Sequence, residues 1–188
     1  MLELKSGRLH GNPPESIAAL TVRYIDREPA LSSRFMDFIG ADSTLVPVPK
    51  SSLLTEGGLW VPQLFSAELV SAGFGGRSAP VLKRAQAIPK AAGSLNAERP
   101  TALLNFRTLV VQRDLETATR LVLVDDVVTA GATLLGCANK LNAAFPDTPI
   151  RAVTAARTIS DGSRFRTTID PTFGTIVLRE NGKTRRDP

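Results

Sequence analysis

Apolar side chains return at helical intervals between residues 15 and 39: Ile17, Leu20, Val22, Tyr24 and Ile25, then Leu31, Phe35, Phe38 and Ile39. A stripe of this period marks a helix with one buried face. Pro29 has no amide to donate and crowds the preceding turn, so it must break or kink the stretch. Thr44-Leu-Val-Pro-Val-Pro49 is a short β-rich run that stops at a proline. Residues 60–72 return to helical spacing through Trp60, Leu64, Phe65, Leu69 and Val70, and Gly73, Gly75 and Gly76 close that pattern. A second short run, Pro80-Val-Leu82, follows.

Residues 83–107 carry the weakest periodicity, with Lys83, Arg84, Lys90, Arg99 and Arg107 among small residues and prolines. Such a stretch reads either as a lid over a site or as a solvated surface insertion. The clearest strand comes next. Leu121-Val-Leu-Val-Asp-Asp126 is continuously apolar before its two acids, as a strand buried on both faces should be. Thr129-Ala-Gly-Ala-Thr133 leads into a helix whose Leu134, Leu135, Ala138, Leu141 and Ala144 recur near the helical period, up to Phe145-Pro146. Ile150-Arg-Ala-Val-Thr-Ala-Ala156 and Phe173-Gly-Thr-Ile-Val-Leu178 read as further strands. Strand, helix and strand in alternation predict a parallel α/β sheet with right-handed crossovers. There is no internal repeat and no low-complexity segment.

At 188 residues and 43% hydrophobic content, the chain suits one globular domain rather than a disordered one. No run approaches the ~20 apolar residues of a membrane span. The first residues lack the apolar core of a signal peptide, so a cytoplasmic protein is expected. A single cysteine, Cys137, excludes an internal disulfide or a multi-cysteine zinc site. A catalytic triad or a histidine metal site would lean on the single histidine, His10, which lies in a polar stretch suited to solvent. The net charge of +5 fits a polyanionic partner, either nucleic acid or a small phosphorylated molecule. Much of it sits late, at Arg164, Arg166, Arg179, Lys183, Arg185 and Arg186, and residues 179–188 read as a solvated basic tail.

Ligands of parallel sheets sit beyond the carboxyl ends of the strands, which is where Asp125 and Asp126 fall. The turn after them is built of Thr, Ala and Gly and opens directly into a helix. Gly131 and its small neighbours let amides approach an anion, the helix N-terminus adds partial positive charge, and Thr129 and Thr133 add hydroxyl donors. The two carboxylates repel a phosphate and suit vicinal hydroxyls instead, each accepting a hydrogen bond. An acid pair beside a phosphate cradle describes a ribose 5-phosphate. Receiver domains also end a strand in two aspartates, but theirs lies near the N-terminus and a later strand supplies a third; here the following strand ends Ala155-Ala156-Arg157. A Walker-type site needs an upstream Gly-x-x-x-x-Gly-Lys-Ser/Thr loop, and none exists. The bland reading is a capped helix beside two exposed acids.

Val122-Leu-Val-Asp-Asp-Val-Val-Thr-Ala-Gly-Ala-Thr133 resembles the phosphoribosyl pyrophosphate signature of type I phosphoribosyltransferases, in a version close to that of orotate phosphoribosyltransferases. The resemblance implies a central, mostly parallel sheet flanked by helices, a small variable hood and a flexible loop. The hood would come from residues 1–40 or 157–178 and the loop from 83–107. It implies that Asp125 and Asp126 bind the ribose hydroxyls, and that Val127, Val128, Thr129, Ala130, Gly131, Ala132 and Thr133 complete the phosphoribosyl site. Pro49, Lys50, Ser51 and Ser52 would form the pyrophosphate loop after the first core strand. Lys50, with Arg84, Lys90 or Arg99 closing from the flexible loop, would share the charge of the leaving group. Members acting on 6-oxopurines carry an aspartate where this chain has Thr129, so that branch is disfavoured.

The order of Leu45-Val-Pro-Val-Pro49, the basic segment with Arg84 and Arg99, and the downstream signature is also similar to the ComF family, annotated around competence and DNA uptake. The four-cysteine zinc module frequent in that family is absent. The family's Arg-Gly-Phe-Asn-Gln stretch is absent as well, replaced by Thr55-Glu-Gly-Gly-Leu-Trp-Val-Pro. The expected activity is Mg²⁺-assisted transfer of ribosyl phosphate from phosphoribosyl pyrophosphate to a nitrogenous base, with loss of pyrophosphate. The alternative is a non-catalytic sensor of the same ligand, linked to nucleic acid through the basic tail. The resemblance further implies a homodimer.

Overall fold

The computed structural model describes residues 9–10, 15–53, 57–89, 99–112, 118–159, 163 and 171–187. A two-residue hairpin of β1 (Leu9–His10) and β2 (Glu15–Ser16) leads into α1 (Ile17–Arg27), whose first turn is capped by the Ser16 hydroxyl accepting from the Ala19 amide at 3.1 Å. Glu28 is extended, and Pro29 then opens α2 (Pro29–Ile39) from the one helical position where a missing amide costs nothing. The proline therefore splits the stretch into two helices, as its chemistry predicts. Gly40, at φ 85°, ends the second of them.

Four strands form the central parallel sheet: β3 (Thr44–Pro47), β4 (Arg77–Ser78), β7 (Leu121–Val128) and β8 (Ile150–Arg157), in the order β4-β3-β7-β8. Helix α3 (Val61–Ser71) links β3 to β4, and α5 (Ala132–Ala144) links β7 to β8. The predicted parallel α/β architecture is the one observed. The core lies on both faces of the sheet. On one, Leu45, Val122 and Val124 pack against α1, α2 and α3 through Val22, Ile25, Ile39, Phe65 and Leu69. On the other, Val46, Leu121 and Leu123 meet Leu134, Cys137 and Leu141 of α5. Side chains of β3 and β7 thus alternate between two buried layers, which is why both strands read as unbroken apolar runs. Phe65 and Leu69 are almost fully buried, and such side chains each stabilise the fold by roughly 1.5–3 kcal/mol.

Several expectations need correction. Residues 83–107 are not one long loop. Strand β5 (Leu82–Arg84) pairs antiparallel with β6 (Leu109–Val111), and α4 (Ala102–Thr108), capped by Thr101, packs on α5. At Gly136 the approach is close enough that a Cβ would meet Asn105 Cβ at 2.5 Å. Lys90 lies outside the described residues. The clearest strand does not stop at the acids but runs on to Val128, because β8 continues beside it as far as Arg157. The strand predicted at 173–178 is β9 (Thr175–Leu178), which stands apart from the central sheet. The basic tail is not free in solvent: β10 (Thr184–Asp187) pairs antiparallel with β9, and Arg186 is half-buried. Among the described residues no helix is long and apolar enough to cross a membrane.

Candidate functional site

The connection after β3 moves outward to β4, and the connection after β7 moves the other way to β8. Right-handed crossovers running in opposite directions cover opposite faces, as α3 and α5 do. The direction reverses between β3 and β7, so a crevice opens beyond their carboxyl ends, the place where parallel sheets take ligands.

One wall of the crevice grows out of β3. Its pairing with β7 ends at Pro47 opposite Val124, and the Val48 amide still reaches the Val124 carbonyl at 2.8 Å. The Val48 carbonyl accepts from the indole Nε1 of Trp60 at 2.8 Å, so this backbone is held on both sides. Buried Pro49 then turns the chain; Lys50 and Ser51 are half-buried and Ser52 is exposed. The Lys50 carbonyl accepts from Arg84 Nε at 3.1 Å and the Ser51 carbonyl from the Ile88 amide at 2.9 Å. With those acceptors tied down, what the turn offers a ligand is donors: the Lys50 ammonium and the amides and hydroxyls of Ser51 and Ser52.

Arg84 stands in β5 rather than in a loop and is only 7% exposed. Its Nη1 donates to Thr108 Oγ1 at 2.7 Å and its Nη2 to Asn105 Oδ1 at 3.0 Å, both partners being buried in α4. Burial pushes its pKa below the ordinary arginine value, and the neighbouring Cys137 counters in part. A guanidinium gripped in this way cannot swing over a ligand. It fixes the turn that carries Lys50. Arg99 is exposed two residues before the Thr101 cap, and no described contact brings it to the crevice.

The facing wall is β7 beyond Val124. Asp125 Oδ1 accepts from the Asp126 amide at 2.9 Å and Asp126 Oδ1 from the Val127 amide at 2.8 Å, so each carboxylate is oriented by the next peptide. Asp125 lies near the buried Cys137 thiol. Burial first, and the Asp125 charge second, push that thiol up to about 12, against a smaller opposing effect of Arg84. Strand alternation starts Asp126 on the other side of the backbone from Asp125. Thr129 and Ala130 are exposed; Gly131, at φ 85° and ψ 11°, is the left-handed residue that turns the chain into α5. No side chain caps that helix and no acid stands in its first turn. Its leading amides are therefore left without a side-chain partner at the helix start. Ile176 of β9 packs on the Gly131 α-carbon, where an added Cβ would meet it at 2.6 Å. The turn is thus backed by the hairpin on one side, with Thr129 and Ala130 presented on the other.

Sequence reasoning placed the two walls, and the structure brings Pro49–Ser52 and Asp125–Thr133 together. It missed Trp60 and Ile176, whose roles depend on contacts across the fold rather than on any local motif. A cavity of ≈ 890 Å³ lies apart from this crevice: it runs along β8 between α1, α2, α5 and residues 171–176, and includes Val128 of β7 in its lining. Both segments named as possible hoods supply its walls.

The carboxyl end of this parallel α/β sheet thus combines an acid pair, an uncapped helix and a turn bearing Lys50. No protein-family model matches the chain, and no curated protein matches it. Among solved structures, a hypoxanthine phosphoribosyltransferase from Staphylococcus aureus is similar at a TM-score of 0.41 and 13% identity, over 82% of this chain and 71% of that one.

Proposed function

We propose that the crevice binds 5-phosphoribosyl pyrophosphate and that the protein transfers its ribosyl phosphate to a nitrogenous base. The observation that carries this reading is the juxtaposition at the switch point of a donor-bearing turn, Pro49–Ser52, and an acid pair followed by an uncapped helix, Asp125–Thr133. The 5′-phosphate rests on the amides of residues 130–133 with the Thr129 and Thr133 hydroxyls. Asp125 and Asp126 accept from the ribose hydroxyls. Lys50, Ser51 and Ser52 donate to the pyrophosphate, and Lys50 offsets the negative charge that grows on it. The C1–oxygen bond breaks with its electron pair leaving on pyrophosphate. The base nitrogen forms the new bond to C1, and its proton passes to solvent.

Mg²⁺ suits the hard oxygen donors of this crevice. The described residues contain no cluster of three or more His, Cys, Asp or Glu, so the ion is carried mainly by the ligand's own oxygens, with Asp125 and Asp126 alongside. When bound it neutralises the leaving pyrophosphate.

Titration of ribose 5-phosphate into wild type and Asp125→Asn tests the binding half. The variant should keep its melting temperature and lose about tenfold or more in affinity, the worth of a charge-assisted hydrogen bond; equal affinities would remove the ribose contact. Pyrophosphate release from the full substrate and Mg²⁺ across a panel of bases tests the transfer half. One observation favours a second reading, a non-catalytic ComF-like sensor of the same ligand: Arg84 is locked in β5 and cannot close on pyrophosphate. Tight binding with no release on any base would select it.

A further inference from the structure

The shape of the Pro49–Ser52 turn is set from outside it. Two consecutive carbonyls are claimed by other parts of the chain, that of Lys50 by Arg84 Nε at 3.1 Å and that of Ser51 by the Ile88 amide at 2.9 Å. A planar trans peptide directs its C=O and its N–H to opposite sides. Drawing these carbonyls toward β5 and the residues after it therefore sends the Ser51 and Ser52 amides the other way. Were the Lys50 carbonyl released, it would be free to turn toward a bound diphosphate and repel it. The direction of this one carbonyl decides whether the turn shows an anion a donor or an acceptor.

Arg84 is itself aimed by α4. Its Nη1 donates to Thr108 Oγ1 at 2.7 Å and its Nη2 to Asn105 Oδ1 at 3.0 Å, which leaves Nε for Lys50. Both acceptors are oriented by the backbone around them. Asn105 Nδ2 donates to the Thr101 carbonyl at 2.9 Å, and the Thr108 hydroxyl gives its proton to the Leu104 carbonyl at 2.8 Å. A carbonyl only accepts and a guanidinium only donates, so neither contact can be made the other way round. From behind, α5 presses on the same helix: a Cβ at Gly136 would meet Asn105 Cβ at 2.5 Å and the Ala102 carbonyl oxygen at 2.7 Å. The Ala85 amide closes the unit by donating to the Thr108 carbonyl at 2.9 Å. Asn105 is fully buried and Thr108 nearly so, and neither is offered to a ligand itself. The three described partners of Arg84 are all neutral, and a buried guanidinium is a costly brace for a fold. What the arrangement uses is its rigid fork, three donors at fixed angles in one plane.

We infer that Asn105 and Thr108 are positioning residues for the pyrophosphate half of the ligand: acting through Arg84, they hold the Lys50 carbonyl away from the crevice and keep the turn a donor surface. The inference rests on the reading above that pyrophosphate lies on this turn. It adds that the two halves of the ligand are governed by separate parts of the fold. Ribose 5-phosphate, placed on β7 and the start of α5, lies outside this chain of hydrogen bonds.

Calorimetric titration of the full chain with pyrophosphate, and separately with ribose 5-phosphate, both with Mg²⁺, tests it. Thr108→Val keeps the shape and removes one acceptor, Asn105→Ala removes the other, and Thr108→Ser keeps the hydroxyl. The first two should bind pyrophosphate about tenfold more weakly, the scale of a hydrogen bond to a charged group. Thr108→Ser should match wild type, and ribose 5-phosphate affinity should be unchanged in all three. A brace of the fold alone would lower melting temperatures and leave the folded protein's affinity for pyrophosphate where it was; that result overturns the inference, as does a parallel loss for both ligands. Wild type supplies a test that no misfolded variant can spoil. In ¹H–¹⁵N spectra the Arg84 Nε–H resonance should move on saturation with pyrophosphate and stay still with ribose 5-phosphate; no movement with pyrophosphate, or equal movement with both, overturns the inference. If ribose 5-phosphate binds and the variants match wild type for pyrophosphate, the inference fails alone. If the expected pyrophosphate losses appear and ribose 5-phosphate does not bind, the positioning role stands and the transfer reading falls. If neither ligand binds wild type, both fall.

Discussion

Arg84 concentrates the chemistry of the fold into one side chain. Its three nitrogens serve the Lys50 carbonyl, Thr108 and Asn105, so it joins the crevice turn to α4 from inside the protein. Arg84→Met keeps much of the volume and removes every donor. Two of the acceptors it leaves, on Asn105 and Thr108, are buried, and the expected loss is about 2–4 kcal/mol in denaturant unfolding. Arg84→Lys should recover little of it, since an ammonium cannot span three partners set for a planar fork. Cys137, beside it, gives a pH signature. Its folded value of about 12 lies above the ordinary 9.0, so between those values the folded state keeps a proton that the unfolded chain releases. Stability should be unaffected by this group below pH 9 and fall as pH rises from there toward 12, at no more than ~1.4 kcal/mol per unit. Cys137→Ala should flatten that part of the curve of unfolding free energy against pH.

At the scale of elements, the β9–β10 hairpin changes most from expectation. Its second strand, Thr-Arg-Arg-Asp, is polar and basic and announces no partner, yet it pairs with β9, whose Ile176 lies on Gly131, and its Arg186 reaches Thr158. The hairpin thus braces the turn at Gly131 and lends Ile176 and Arg186 to the wall of the β8 cavity. Gly131→Ala asks a side chain to occupy both a left-handed backbone and the space of Ile176. The expected cost is about 2–3 kcal/mol, part backbone strain and part overpacking. Ile176→Ala should relieve the second part, so the double variant should melt higher than Gly131→Ala alone. If the double variant is no more stable, the contact is not what confines that glycine.

Across the whole molecule, legibility followed the range of the interactions that decide each part. β3 and β7 could be read because burial on two faces writes itself into consecutive residues, and the edge strand β8 because its apolar run follows the helix after β7. Helices α1, α2, α3 and α5 could be read because one buried face repeats every turn, and the Asp125–Thr133 segment because its acids, small turn and helix start are consecutive residues; α4, only seven residues long, was not read. What was missed is held by partners far away in sequence. Strand β6 has only three residues and exists through its pairing with β5. The short edge strand β4 is likewise defined by its alignment with Thr44 and Leu45. Arg84 looked like a loop cation because Asn105 and Thr108, which bury it, stand more than twenty positions on. The cavity along β8 is assembled from α1, α2, β8 and the last hairpin together, and no window of sequence contains it.

Trp60 was introduced as a brace for the Val48 carbonyl, but it is also the chain's single indole, accompanied by one tyrosine, Tyr24, which is 45% exposed and belongs to a different region. Emission excited at the red edge therefore comes from one fluorophore, hydrogen-bonded two residues upstream of Lys50. Pyrophosphate settling on that turn should alter the indole's polar surroundings and shift or quench its light. The single indole would thus serve as an optical gauge of the Lys50 turn, and a titration in which pyrophosphate leaves the emission unchanged would show that it does not settle there.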